Sequence, residues 1–242
     1  MSHSEEESQT PDPLVDALEA HQGHLDWAVR DISRRVETNE SGETILLFIK
    51  YTVKVGNEGF KLIGQLKHLE CLDATDAALT NAGMESLGKL AHLRELILDI
   101  TEVGDDGLQF LSKSHSLKRL SLSATRVGNP GLVHISKLRN LESLDLSSTN
   151  VTHHGLEFLQ GLTNLTNLDL GENGIRDEGM EHLRKMTKLQ SLTLNYNRLT
   201  DVGAGMLRGF DHMKFLNLKG NHISDRTVAD LIESMPYATI NT

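Results

Sequence analysis

From Leu69 onward the chain repeats itself every 24 residues without insertion or deletion, and this period constrains the fold more than any other feature. The units begin at Leu69, Leu93, Leu117, Leu141, Leu165, Leu189 and Met213. Their common pattern is LxxLxLxxTxVxDxGLxxLxxLxx, with Asn replacing Thr in the later copies. Counting back 24 residues from Leu69 reaches Ile45, where a degenerate eighth unit begins. That unit keeps Phe48, Val55, Asn57, Gly59, Phe60, Ile63 and Leu66 in register, but Lys50 stands where a Leu belongs. A 24-residue unit cannot bury its own apolar face, so copies must stack, each covering the next.

Each part of the unit has a local reading. The LxxLxL run ends in period-2 alternation, which predicts a strand with one buried face. The GLxxLxxL half places apolar residues at i, i+3 and i+6, one stripe of a short helix. Ahead of that stripe stand Asn57, Asn81, Asp105, Asn129, His153, Asp177, Asp201 and Asp225. Asn and Asp are favoured N-caps, so this column is expected to cap the helices, with Pro130 in the first turn behind Asn129. The glycines two positions later, Gly59 through Gly203, are expected to permit close approach of neighbouring coils. Thr101, Thr125, Thr149, Asn173, Asn197 and Asn221 should point inward and satisfy backbone groups between strand and helix.

These motifs, over residues 45–236, resemble the leucine-rich-repeat superfamily. The short unit with its Gly-Leu helix entrance is similar to the ribonuclease-inhibitor-like repeats of bacteria. The resemblance implies an α/β solenoid curved like a horseshoe, with a parallel sheet on the concave face and short helices on the convex face. It implies protein binding as the function and no enzyme activity. Eight strands at roughly 4.8 Å spacing would give an inner arc of about 35–40 Å.

The ends and the composition refine this expectation. Residues 1–44 hold 11 acidic and 3 basic residues, while the remaining 198 hold 23 and 21. Residues 1–11 read as a disordered acidic tail, 12–44 as an N-terminal helical cap, and 237–242 as a C-terminal tail. Within the cap, Asp12-Pro13 opens a helix bearing Leu14, Val15 and Leu18, and Leu25, Val29, Ile32 and Val36 continue a helical spacing. Arg34–Thr38 reads equally as a short strand pairing with Ile45–Ile49. An acidic head on a near-neutral body gives no footprint for nucleic acid or an anionic membrane. The polar N-terminus does not resemble a secretory signal, and the single Cys71 suits a reducing compartment, so a cytoplasmic location is expected. A monomer is expected, with a weak edge-to-edge dimer as the alternative.

Catalytic and metal readings fare poorly. His68, His92 and His212 share the last position of their units, a turn that wants a polar residue. His153 and His154 are adjacent in sequence and do not converge as metal ligands would. No hydrolase, phosphate-loop or dinucleotide motif occurs, so no cofactor, metal or catalytic residue is expected. The outward strand positions are more informative, because the fold does not repeat them. They run Leu47, Cys71, Glu95, Arg119, Ser143, Asn167, Ser191, Phe215, then Ile49, Asp73, Ile97, Ser121, Asp145, Asp169, Thr193, Asn217. A third column runs Tyr51, Thr75, Asp99, Ser123, Ser147, Gly171, Asn195, Lys219. The candidate protein-binding residues are Asp145, Asp169, Asn195, Tyr196, Phe215, Asn217 and Lys219: stacked like charges that a basic partner would relieve, and aromatics among amides. The function expected is a scaffold or adaptor binding another protein in its concave face. The alternatives are a regulator or inhibitor of an enzyme held there, or a self-associating structural array.

Overall fold

The computed structural model describes residues 11–242; the acidic stretch 1–10, expected to be disordered, lies outside them. Helices α1 (Pro13–Ala20) and α2 (Leu25–Ile32) precede a hairpin of β1 (Ser33–Thr38) and β2 (Thr44–Ile49). The coils then contribute β3 (Cys71–Asp73), β4 (Glu95–Ile97), β5 (Arg119–Ser121), β6 (Ser143–Asp145), β7 (Asn167–Asp169), β8 (Ser191–Thr193) and β9 (Phe215–Asn217). A last strand, β10 (Thr239–Asn241), follows. All ten form one sheet in chain order, antiparallel between β1 and β2 and parallel thereafter. The opposite layer holds α3 (Asn57–Ile63), α4 (Met84–Leu87), α5 (Asp105–Leu108), α6 (Asn129–Ile135), α7 (Leu156–Leu159), α8 (Met180–Leu183), α9 (Asp201–Gly205) and α10 (Asp225–Ser234). The result is an α/β solenoid with the sheet on its concave face and short helices on its convex face.

The core is a stack of aliphatic rungs between the layers. Leu93, Leu96, Leu98, Val103 and Leu108 make one rung, and Leu117, Leu120, Leu122, Val127 and Leu132 the next, all at most 2% exposed. Removing such a Leu side chain costs about 2–5 kcal/mol, so these columns cannot drift. Asparagines bind the rungs together where strand turns to helix. Asn197 Nδ2 donates to the carbonyls of Leu194 (3.1 Å) and of Leu170 one coil back (2.8 Å), and its Oδ1 accepts from Ile175 N (3.0 Å). Asn173 and Asn221 repeat the arrangement, whereas Thr101 and Thr125 reach only the carbonyl of their own strand end. The inward column is therefore as expected.

The Asn/Asp column does something other than cap its own helix. Asn57 Oδ1 accepts from Thr80 N, Asn81 Oδ1 from Gly104 N, Asn129 Oδ1 from Thr152 N and Asp201 Oδ1 from Ser224 N, each 23 residues ahead. Asp105 takes both Gly128 N (2.7 Å) and Gly131 N (2.9 Å) at the entrance of α6. Each carboxylate or carboxamide thus holds the backbone at the helix entrance of the following coil, and Asp105 also caps the first turn of α6. The glycine column is the other half of this joint: a Cβ on Gly131 would lie 2.6 Å from Asp105 Oδ1. At the N-terminus Asp12 plays the same part, its Oδ2 accepting from Gly56 N (2.7 Å) and Gly59 N (3.0 Å) while Oδ1 caps α1 at Leu14 N. His153 breaks the series, and its buried Nδ1 has no partner.

Two further expectations are corrected. The register of β2 against β3 pairs Leu46 with Cys71 and Phe48 with Asp73, one residue off the 24-residue count. A one-residue slip exchanges the faces of a strand. Leu47 and Ile49 therefore lie in the core at 0% and 1% exposure, not on the outer face, and Lys50 escapes burial. In the cap the strand alternative holds, residues 33–38 pairing with β2. Residues 239–241 are not a bare tail but pair with β9.

One conformational column leaves no mark in the sequence. Asp76, Ile100, Ala124, Ser148, Glu172 and Tyr196 all have φ between 52° and 60°, and only the last member, Gly220 (74°), is a glycine. A side chain in this region costs roughly 1–2 kcal/mol. Each of the six non-glycine N–H groups bonds to a carbonyl of the next coil, as Ile100 N does to Ser123 O (2.9 Å) and Tyr196 N to Lys219 O (2.7 Å), which offsets the strain.

Candidate functional site

The outward positions of β3–β9 line the concave face, and a row of carboxylates runs across it. Asp145 and Asp169 are register partners on adjacent strands, as the spacing of their units requires. Asp73 and Asp99 extend the row toward the N-terminus. Each carboxylate spends one oxygen on its own strand end or the next. Asp145 Oδ1 accepts from Ser147 N (2.8 Å) and Ser147 Oγ (2.7 Å), and Asp169 Oδ1 from Gly171 N (2.8 Å). Asp99 Oδ1 accepts from Ser121 Oγ (2.6 Å) and Ser123 N (2.9 Å).

The row is neutralised at one end only. Arg34 on β1 reaches over β2 and pairs with the buried Asp73. Its guanidinium lies 5.0 Å from the Phe48 ring centroid and 4.6 Å from that of Tyr51. Among the described residues Asp99, Asp145 and Asp169 have no such cation. Burial pushes the Asp169 carboxyl above the usual range, against the Gly171 N–H bond, and the Asp145 and Glu172 charges add to the rise. Burial likewise raises Asp99, with Asp145 and Asp73 contributing. Sequence reasoning had placed Asp73 and Asp99 in the outward columns without linking them to the pair. The signal that would have done so is the carboxylate recurring at the strand ends of separate units.

The other candidates do not form a single cluster. Phe215 opens β9, half-buried between Ser191 of β8 and Thr239 of β10. Asn217 closes the same strand, its Oδ1 accepting from the N–H of the exposed Lys219 (3.2 Å). Asn195 and Tyr196 lie in the turn beyond β8. Tyr196 is 51% exposed, with its ring against Gly220 of the next coil, where a Cβ would collide with it. The two aromatics thus stand at opposite ends of their coils' strand segments. Next to the acidic row is a shallow depression of about 400 Å³ lined by Glu95, Ile97, Arg119, Ser121, Asp145 and Asn167.

Chemical machinery is sparse on this face. Burial and the neighbouring Glu95 push the Cys71 thiol up to about 12, so it is not a thiolate nucleophile at neutral pH. Among the described residues no three His, Cys, Asp or Glu side chains converge to hold a metal ion, and no helix is long and apolar enough to cross a membrane.

Comparison with known proteins agrees with this architecture. Residues 163–223 match one family model described as leucine rich repeat, and residues 137–159 match a second. Internalin C2 from Listeria monocytogenes superposes with a TM-score of 0.68 at 23% identity, covering 96% of this chain and 98% of its own. A leucine-rich-repeat protein from Leptospira interrogans gives 0.60 at 25% identity, over 75% of this chain and 45% of the other. A plant ice-binding protein gives 0.61 at 20% identity, over 85% and 66%. No curated protein matches in sequence. The matched models, the unbroken period and the asparagine-laced sheet-and-helix coil agree with one another: residues 137–159 and 163–223 are leucine-rich repeats, and the chain as a whole has the leucine-rich-repeat fold.

Proposed function

We propose that this chain is a non-catalytic protein-binding scaffold whose concave sheet receives a basic segment of a partner protein over Asp145 and Asp169. Solenoids of this kind present extended concave surfaces that serve protein recognition. The observation that carries the reading is the unequal treatment of one carboxylate row. Arg34 neutralises Asp73 from within the chain, whereas Asp145 and Asp169 face one another across adjacent strands with no cation among the described residues. Like charges directly opposite on a sheet destabilise it. An arginine or lysine from a partner would relieve that repulsion in the half-buried setting where an ion pair is screened least. Asn195, Tyr196, Phe215, Asn217 and Lys219 then form a second, C-terminal contact zone, with each aromatic at its own margin. On this reading residues 12–44 cap an array spanning 45–236, and the protein works in the cytoplasm.

The test uses an arginine-rich peptide first, and then whatever protein the full chain captures from its native lysate. Asp145→Asn with Asp169→Asn keeps the hydrogen-bond acceptors and removes both charges, and should weaken peptide binding at least about tenfold, roughly 1.4 kcal/mol. Glu157→Lys on the convex side should leave it unchanged. Loss of binding in the convex variant with retention in the double variant would overturn the concave assignment.

A further inference from the structure

We propose a second site, an anion pocket for a phosphate-class ligand, on the flank where α8 and α9 turn back toward β8 and β9. Arg184, Lys188, Arg208 and His212 surround a hollow of about 360 Å³, with Thr187 on its wall and the buried Phe210 ring beneath. A water molecule occupies about 30 Å³ in the liquid. The hollow therefore admits an inorganic phosphate or pyrophosphate with part of its hydration shell.

Charge and repeat position both single out this place. The chain carries a net charge of -10, yet the pocket gathers three permanent cations and an imidazole against a single lining carboxylate, Asp211. Asp230 holds Arg208. Among the described residues neither Arg184 nor Lys188 has a carboxylate partner, and Lys188 Nζ only donates to Asn164 Oδ1 (2.8 Å). In the repeat, Arg184 and Arg208 occupy the position that Ser136 and Gln160 hold in preceding coils. Lys188 and His212 occupy that of Asn140 and Asn164. The fold is thus satisfied by small or neutral side chains at both positions. Stacking Arg184 and Arg208 on neighbouring coils, with Lys188 beside them, gathers like charges that the neutral residues of the preceding coils avoid. A bound oxyanion removes that repulsion. The guanidinium fork pairs two parallel N–H groups with two oxygens of a phosphate, while Lys adds a point charge. Pyrophosphate, with two tetrahedral centres, can engage cations of both coils at once.

The full-length chain is titrated with inorganic pyrophosphate by isothermal calorimetry at fixed ionic strength, alongside inorganic phosphate and citrate. The expected result is saturable one-site binding, tighter for pyrophosphate than for phosphate or citrate. Arg184→Gln with Lys188→Asn installs the neutral residues of the preceding coils, so folding should survive. That variant should weaken pyrophosphate binding tenfold or more, with an unliganded melting temperature equal to or above the parent's. Lys188→Asn alone should give a smaller loss and serves as the reference if the double variant melts early. Absence of saturable heat, unchanged affinity in both variants, or citrate binding as tightly as pyrophosphate would overturn the proposal.

Discussion

Replacing Asn197 by Ala tests whether the asparagine ladder holds the coils together. The side chain is 5% exposed; the two hydrogens of Nδ2 are shared among the carbonyls of Leu170, Leu194 and Asn195, and Oδ1 accepts from Ile175 N. Not all of these losses weigh equally. The Leu170 carbonyl keeps Asn173 Nδ2, the Leu194 carbonyl keeps Asn221 Nδ2, and the Asn195 carbonyl keeps Glu172 N. Ile175 N has no such substitute, and Ile175 is fully buried. An orphaned buried N–H costs about 1–3 kcal/mol and a typical satisfied bond contributes about 1 kcal/mol. The expected destabilisation is therefore about 2–3 kcal/mol. Thr125→Val removes one bond within a single strand end and should cost about 1 kcal/mol. Asn197→Thr restores that single-coil arrangement and should fall between. Urea unfolding followed by circular dichroism, with midpoints compared at constant slope, ranks the three. Equal midpoints for Asn197→Ala and Thr125→Val would refute the idea that the asparagines bridge coils.

Two other outcomes follow from the geometry. His153→Asn should restore the missing acceptor for the N–H of Arg176, 23 residues ahead, and raise stability by about 1 kcal/mol in the same urea assay; no gain would mean that the gap there is tolerated for another reason. Asp169→Asn should stabilise the unliganded protein at pH 7, because a raised folded-state pKa means that ionisation opposes folding above it; the gain should shrink as acid protonates the parent's carboxyl, and melts at pH 7 and pH 4 showing the opposite trend would refute the electrostatic account.

Core leucines, the glycine column and the inward Thr/Asn column could all be placed from the period, since the same physical demand recurs in every unit. The Asn/Asp column was found, but its partner was not. A side chain two residues before a glycine looks like a local cap, and only the stacked coils show that the glycine it needs belongs to the neighbour. The first coil was misread at Leu47 and Ile49 because a one-residue shift changes no composition. The left-handed column was invisible for lack of glycines, its strain being offset by bonds to the next coil. Of the concave face, the Asp145–Asp169 pairing was legible from register alone. The Arg34 contact was not, because it spans 39 residues and belongs to no repeat.

The joint between coils has a direction. A carboxylate or carboxamide in one coil holds the backbone of the coil that follows, and Asp12 begins the series before the first full turn. Removing a coil from the C-terminal end leaves this joint intact in what remains, although it frees the inward and left-handed N–H groups that bond forward to the lost coil. Removing one from the N-terminal end orphans the amides of what remains. For this joint a chain emerging from the ribosome meets the favourable case, since the acceptor for each new coil's entrance is in place before that coil is made. The solenoid can accordingly assemble by accretion, one turn at a time, in the order of its own synthesis.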